Sequence, residues 1–226
     1  MLNVESISKS YETSDVRTHA LSDVSLAIGA GEFVAIMGPS GCGKSTLLNI
    51  LGLLDRADGG RIELLGEDLS QANERDLTRL RRAAIGFVFQ SFNLVDELTV
   101  TRNVELGLLY RGVGARERRE RVEAALDRVG MRHRARHLPK QLSGGQQQRV
   151  AVARAIVSDP KLILADEPTG NLDTVNGEAV MELLQQAVGR GTSVVMVTHS
   201  LAQADRADRK IQLLDGRIVS QTRVGA

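Results

Sequence analysis

Residues Phe33 to Leu51, FVAIMGPSGCGKSTLLNIL, constrain the fold more than any other stretch of this chain. Phe33 to Met37 is a short apolar run of strand type, and Lys44 to Leu51 is rich in helix formers with apolar positions throughout. Between them lie Gly38, Pro39, Ser40, Gly41, Cys42, Gly43, Lys44 and Ser45, which satisfy G-x-x-x-x-G-K-[ST] in the strand–loop–helix setting that the pattern requires. Glycines let the backbone curl so that successive N–H groups point inward, and a helix N-terminus adds the positive end of its dipole. Lys44 can reach β- and γ-phosphates, and Ser45, with Thr46 beside it, can offer a hydroxyl to Mg²⁺. A glycine-rich turn before a buried helix would not need this spacing. The stretch predicts a nucleoside triphosphate site.

The totals suit one α/β domain with an insertion. At 226 residues, with 42% hydrophobic and 25% charged residues, the chain has the composition of a soluble globular protein with a full core. Its net charge of +1 gives no global field toward nucleic acid or an anionic membrane. Aromatic residues make up 3% and Trp is absent, so base-stacking platforms for single strands are not expected, and no nucleic-acid partner is. The one cysteine, Cys42, can form no intrachain disulfide, which fits a reducing compartment. Met1 to Ser10 alternates apolar and polar residues instead of forming a signal-peptide core. No apolar run approaches the roughly 18–20 residues that span a bilayer, so neither export nor membrane crossing is expected.

Along the chain, Leu2 to Tyr11 and His19 to Ile28 read as strands, with polar Glu12 to Arg17 between them as a loop. Tyr11 stands at a strand end, where it is either an edge tyrosine or a stacking surface for a base. Asp58-Gly59-Gly60 reads as a turn, Arg61 to Leu65 as a strand, Glu74 to Arg82 as a charged helix and Ile85 to Phe89 as an apolar strand ending at Gln90. From Ser91 to Gln141 the strand–helix alternation stops. Thr99 is placed to cap a helix through Leu109, and Ala115 to Val129 is a second helix with Val122, Ala125, Leu126 and Val129 on one face. The charge run from Arg116 to Arg136 is interleaved with Glu117, Glu120, Glu123 and Asp127, the pattern of a solvated, salt-bridged helix. Alternation then resumes with a helix over Gly144 to Val157, a strand over Leu162 to Ala165 and a helix over Thr174 to Val188. That last helix is expected to bury Val175, Ala179, Val180, Leu183, Leu184 and Val188. Thr192 to Val197 follows as a strand, and Asp215-Gly216 marks a hairpin.

The chemistry sits at strand ends. A polar amide such as Gln90 at the carboxyl end of a strand is either a loop residue or a ligand contact. Asp166 and Glu167 close a buried strand; Asp166 fits a Mg²⁺-holding role through the ion's water shell. Glu167 can then orient or deprotonate an attacking water, a step worth about 10²- to 10⁴-fold in rate. His199 ends another β-branched strand, in reach of a γ-phosphate by the same logic. Leu142-Ser143-Gly144-Gly145-Gln146 leads straight into a helix and makes a second anion device. Two phosphate devices with one complete magnesium site point to a head-to-tail pair, each chain closing over the other's nucleotide.

Leu142 to Gln146 resembles the signature motif of ATP-binding cassette (ABC) ATPases, and the similarity covers nearly the whole chain with every family motif in order. Tyr11 matches the adenine-stacking aromatic, Gly38 to Ser45 the Walker A loop and Gln90 the Q-loop residue, which also reaches the magnesium ion. Asp166 and Glu167 match Walker B and the catalytic glutamate, Asn171-Leu172-Asp173 the D-loop and His199 the switch histidine. The resemblance implies an α/β P-loop NTPase (RecA-like) core with an antiparallel β-subdomain over 1–90 and 161–226, and an inserted helical subdomain over 91–160. It also implies ATP and Mg²⁺ as ligands and a homodimer that drives integral-membrane permease subunits. The location that follows is the cytoplasmic face of the bacterial inner membrane. Ser143, Gly144, Gly145, Gln146 and Asp173 would serve the partner's nucleotide.

The sequences around Gln90, Gln141 to Arg149 and Leu164 to Asp173 look like the macrolide-exporter and lipoprotein-release group, whose members couple hydrolysis to a periplasm-directed stroke. Cys42 stands where Ser is commoner, and Ser200 follows His199 where Asp is frequent. A cell-division-type cassette that signals through a membrane partner is a second reading. A soluble ABC-type ATPase acting on DNA or ribosomes is a third, although this chain has neither the long coiled coil nor the tandem cassettes usual there. If a permease coupling helix docks here, some of the side chains Phe92, Leu94 and Val95 are expected to be exposed; the alternative is that all three pack into the helical subdomain.

Overall fold

The computed structural model describes residues 1–12 and 17–224. Residues 13–16 of the expected polar loop lie outside them. The chain divides into two compact units, Met1–Arg81 with Val195–Ala226, and Arg82–Val194, so that the divisions fall within a helix and within a strand.

In the first unit, β1 (Leu2–Glu12) pairs antiparallel with β2 (Arg17–Ile28), Leu2 opposite Ile28. β3 (Phe33–Met37) is buried at every position and delivers the chain into the glycine-rich loop and α1 (Lys44–Leu51). β4 (Gly59–Leu64) pairs antiparallel with β1, and β5 (Glu67–Asp68) with β4. The expected turn at Gly59-Gly60 is the start of β4 instead. Gly59 pairs with Ser8, and the register shifts between Glu5 and Ser8, a bulge that two glycines at the strand start accommodate. α2 (Glu74–Ala84) follows.

The second unit holds β6 (Ile85–Phe89), α3 (Val100–Glu105) and α4 (Ala115–Arg128). The Thr99 side chain caps α3 by accepting from the Arg102 N–H at 3.3 Å, and a 3-10 turn over Leu106–Leu108 continues the expected helix. Val122, Ala125, Leu126 and Val129 are buried, so the apolar face of α4 is the one its periodicity marks. Along its other face Arg116 pairs with Glu120 and Arg121 with Glu117, each four residues apart. α5 (Gly144–Ile156) packs against β6, and β7 (Leu162–Asp166) runs parallel to β6 with Phe89 opposite Asp166. α6 (Thr174–Val188) buries Gly177, Val180, Met181, Leu184 and Ala187. Its stripe is rotated from the expected one. Val175 is 80% exposed, while Ala179, Leu183 and Val188 are half-buried. Asp173 caps the helix at its open end, and Val175 stands in the first turn there, before the packed stripe begins.

β8 (Ser193–Val197) spans the second division. Back in the first unit, α7 (Leu201–Ala204) leads to β9 (Arg209–Leu214), parallel to β3 with Ile36 opposite Ile211. β10 (Arg217–Arg223) returns antiparallel through Asp215 and Gly216, both at positive φ as a two-residue hairpin turn demands.

The rotated stripe of α6 has a direct energetic consequence. Leu184→Ala should cost about 2–5 kcal/mol of stability, whereas Val175→Ala should stay within about 0.5 kcal/mol. Urea denaturation checks both, and equal costs would contradict the burial pattern.

Candidate nucleotide site

The loop before α1 is shaped by glycine. Gly43 holds φ 99° and ψ 5°, and a Cβ there would lie 2.3 Å from the Ala20 carbonyl oxygen, so no other residue fits without moving the backbone. The loop is braced from outside as well: the Gly216 N–H donates to the Cys42 carbonyl at 3.0 Å, and the Ser22 N–H to the Gly216 carbonyl at 2.9 Å. The Lys44 ammonium lies over the same loop, donating to the carbonyls of Gly38 at 2.9 Å and Pro39 at 2.8 Å. Cys42 is buried, with its Sγ 3.9 Å from Lys44 Nζ. A cation, a helix N-terminus and a curled backbone thus adjoin one another, with Ser45 and Thr46 in the first turn of α1.

Two further site candidates belong to this unit. The Thr198 N–H donates to the Ile36 carbonyl at 3.1 Å, which sets His199 just past β8 alongside the end of β3, where the phosphate loop begins. Tyr11 is 43% exposed near the end of β1, where its neighbour is Thr18 of β2. Its hydroxyl donates to Asp55 Oδ2 at 2.8 Å, and Lys9 Nζ lies 5.3 Å from the ring centroid. Burial would raise the Asp55 pKa, but hydrogen bonds from Lys9 and Tyr11 outweigh it and hold the carboxyl below the usual carboxylate range. The Tyr11 side chain is therefore anchored by its hydroxyl and still presents ring surface to solvent.

The second unit carries the remaining candidates. Because β6 and β7 pair in parallel with Phe89 opposite Asp166, Gln90 and Glu167 leave neighbouring strands at the same end. Gln90 Nε2 donates to Asn171 Oδ1 at 3.2 Å, and Asn171 Nδ2 returns a bond to the Gln90 carbonyl at 3.1 Å. Glu167 adopts φ 46°, and its carbonyl accepts the Gly170 N–H at 3.0 Å. The structure thus gathers Gln90, Asp166, Glu167 and Asn171 at one edge.

Ser143 opens α5 with a capping box. Its Oγ accepts from the Gln146 N–H at 3.3 Å, and Gln146 Oε1 accepts from the Ser143 N–H at 3.0 Å. Helix geometry leaves the Gly144 and Gly145 N–H groups unmatched within the helix. A Cβ on Gly145 would lie 2.2 Å from the Asn176 side chain, so the glycine is what lets α5 and α6 meet here. Asn176 is itself held by Asp173, which accepts from its backbone N–H at 2.9 Å and its side-chain amide at 2.7 Å. Those bonds lower the Asp173 pKa.

Several residues that organise this edge were not marked by sequence. Buried Asn103 staples the loop before α3, accepting from the Val95 N–H at 2.8 Å and donating to the Val95 and Leu98 carbonyls at 3.0 and 2.9 Å. Gln148 and Arg154, on α5, bond backbone carbonyls of the segments around Gln90. A polar residue on an otherwise apolar helical stripe is the signal that could have found Asn103, between Val100 and Val104. Gln148 and Arg154, whose partners are distant backbone carbonyls, leave no such signal. Of the expected docking residues, Val95 is 39% exposed, and Phe92 and Leu94 are half-buried.

Comparison with known proteins decides the family. Residues 21–170 match the model of the ABC transporter family. The chain belongs to that family. The cassette is 48% identical over 219 residues to YknY, an uncharacterised ABC transporter ATP-binding protein of Bacillus subtilis, covering 97% of this chain and 95% of that protein. It is 50% identical over 222 residues to MacB, a macrolide export ATP-binding/permease protein of Brucella melitensis, covering 98% of this chain but only 34% of MacB. Among solved structures it matches the dimeric, post-hydrolysis ATP-binding cassette MJ0796 bound to ADP and Pi, with TM-score 0.92, 43% identity and full coverage of both chains. The cassette is an ATPase, and its α/β P-loop fold is the fold of those structures.

Two outcomes follow from these contacts. Lys44→Ala should weaken nucleotide binding by about 1.5–3 kcal/mol, the scale of a charge-assisted hydrogen bond; unchanged affinity in calorimetry would remove Lys44 from the site. Asp173 is ionised more readily folded than unfolded. Its contribution to stability is therefore present above its unfolded pKa of about 3.8 and is lost as pH falls through the lower folded value. The stability difference between wild type and Asp173→Asn should be flat near neutrality and change only in that acid window. A difference that varies above pH 6 would contradict the capping bonds.

Proposed function

We propose that two copies of this cassette pair head-to-tail around two Mg·ATP and drive a membrane permease of the macrolide-export or lipoprotein-release type. The observation that carries the reading is the capping-box helix start at Ser143 to Gln146, a second anion device in a chain whose phosphate loop already provides one. A single nucleotide needs only one such loop, so the second device serves another copy's nucleotide. Two neighbours support it: MJ0796 is described as dimeric, and MacB carries both ATP-binding and permease in its name, with this chain spanning about a third of its length.

In this mechanism the loop from Gly38 to Ser45 and Lys44 hold the triphosphate, and Tyr11 stacks on the adenine. Ser45 hydroxyl, Gln90 amide oxygen and Asp166 carboxylate are hard oxygen donors of the kind Mg²⁺ accepts. Among the described residues no group of three or more His, Cys, Asp and Glu is placed to hold a metal; Ser45, Gln90 and Asp166 would hold the cation together with phosphate oxygens and water. When bound, the cation neutralises charge that develops on the phosphates. Glu167 orients and deprotonates the attacking water, and His199 donates to the γ-phosphate. Ser143, Gly144, Gly145 and Gln146 cover the partner's γ-phosphate, and Asp173 lies at the same contact. Residues 1–90 and 161–226 serve as core and β-subdomain, and 91–160 as helical subdomain. No described helix is long and apolar enough to cross a membrane. Attachment at the cytoplasmic face of the inner membrane runs through the permease, with Phe92, Leu94 and Val95 as the docking patch.

Glu167→Gln keeps volume and hydrogen-bonding capacity but removes the base. Hydrolysis should fall by about 10²-fold or more, and the ATP-bound pair should persist on size exclusion. Adding Ser143→Arg should abolish the pair while ATP stays on the phosphate loop. A Glu167→Gln variant that stays monomeric at high protein and ATP, even with its permease, would falsify the two-chain site. A trapped pair that survives Ser143→Arg would show that the signature stretch has another job.

A further inference from the structure

We propose that Gln148 and Arg154 are positioning residues for Gln90, two side chains of α5 that grip the backbone on both sides of it. The inference rests on the reading that Gln90 serves the nucleotide and its metal. It adds that the helix whose first turn is Gly144-Gly145-Gln146 and the glutamine at the end of β6 behave as one rigid piece.

Gln148 is wholly buried, and its Nε2 donates to the Phe89 carbonyl at 3.3 Å and the Pro168 carbonyl at 2.5 Å. One of these carbonyls immediately precedes Gln90 and the other immediately follows Glu167. Both partners are acceptors, so the amide nitrogen must face them, and Oε1 is left buried with no partner. An unpaired buried oxygen is a cost that an apolar residue of similar volume would avoid. What the glutamine supplies in return is a bridge between the two strand ends that carry the candidate chemistry.

Arg154, two turns further along α5, grips the other side. Its guanidinium donates to the Phe92 carbonyl at 2.8 Å and the Asn93 carbonyl at 2.5 Å. Among the described residues no carboxylate pairs with it, and burial holds its pKa below the usual arginine range. A cation half-buried on carbonyls alone is an unusual expense for mere packing. Phe92 and Asn93 both sit at positive φ, 61° and 49°, a conformation that needs outside support in residues other than glycine. The planar fork of arginine reaches the two successive carbonyls with two separate nitrogens held at a fixed spacing, which the single ammonium nitrogen of lysine does not reproduce.

The helix is also fixed directly to β6. A Cβ on Gly86 would lie 2.6 Å from the Ala155 carbonyl oxygen, so the two backbones meet there without side chains between them. At the N-terminal end of α5, the position of a Cβ on Gly144 is 3.6 Å from the Phe92 ring. The Phe92 ring therefore faces the first turn of α5, where a methyl on Gly144 would just meet it, while Arg154 holds the Phe92 carbonyl. Any shift of Ser143 to Gln146 against the strand ends moves the segment that carries Gln90.

The test is a double-mutant cycle on ATP hydrolysis by the whole chain. Arg154→Lys and Gln148→Met should each lower kcat by about tenfold while the KM for ATP and its Kd change less than about twofold. Placed in a Gln90→Ala background, each should lower kcat by no more than about twofold further, because the residue they position is already gone. Equal losses in both backgrounds, or an unchanged kcat in the single variants, would overturn the proposal. If Arg154→Lys does not fold, as thermal unfolding reports, the Gln148→Met arm decides alone by the same criterion. Gln90→Ala with unimpaired kcat is a separate result: it sinks the reading of Gln90 itself and this inference with it.

Discussion

The phosphate loop depends on a contact that admits no side chain. Gly43 must turn left-handed directly in front of α1, against the Ala20 carbonyl of β2. The loop's carbonyl at Cys42 is then held by the N–H of Gly216, in the turn between β9 and β10. Residues near 20, 42 and 216 therefore have to be in register before the loop's N–H groups can converge. The parallel pairing of β3 with β9 provides that register. This is a non-local arrangement of the kind that raises the entropic cost of folding. In return it fixes a glycine-rich turn directly in front of a helix N-terminus, the backbone arrangement that favours an anion.

The second unit solves a related problem with side chains. Parallel pairing of β6 and β7 sets Gln90 and Glu167 side by side, but a strand end is free to fray unless something holds the exit. Asn171 bonds both the side chain and the backbone of Gln90, and Gln148 bridges the carbonyls next to Gln90 and Glu167. Asp173 holds Asn176 by hydrogen bonds, and Gly145 lets the starts of α5 and α6 pack closely beside it. This edge of the unit is thus held by side-chain hydrogen bonds and close packing on top of an apolar core.

What the sequence made legible was whatever rests on local rules. Period-two and helical patterns placed nearly every strand and helix, and the glycine spacing, the capping signal at Thr99 and the Asp215-Gly216 turn all correspond to elements of the fold. What was not legible depends on partners distant in the chain. Val175 looked like part of a buried stripe, yet it stands exposed because the packing of α6 begins a turn later, at Gly177. Gly59 and Gly60 looked like a turn because the bulge they answer lies in β1, more than fifty residues earlier. Gln148 and Arg154 carry no motif at all. Their meaning lies in carbonyls of Phe89, Phe92, Asn93 and Pro168, which no side-chain pattern reveals. Tyr11 was legible only in part: its position at a strand end was readable, its anchoring to Asp55 was not.

The end of β7 holds a residue whose backbone conformation its type does not favour. Glu167 holds φ 46°, as do Asp159 and Asp215 at φ 48° and 45°. The two aspartates are easily understood, because short polar side chains hydrogen-bond locally and tolerate the left-handed region. Glutamate has no such advantage, and a left-handed non-glycine residue costs on the order of 1–3 kcal/mol unless its surroundings over-determine it. Glycine would fit this turn more cheaply, and the Gly170 N–H would still find the same backbone carbonyl. The turn by itself does not call for glutamate. A carboxylate at that point, one residue beyond Asp166 and beside the exit to Gln90, is the group that the proposed hydrolysis would use to hold and activate a water molecule.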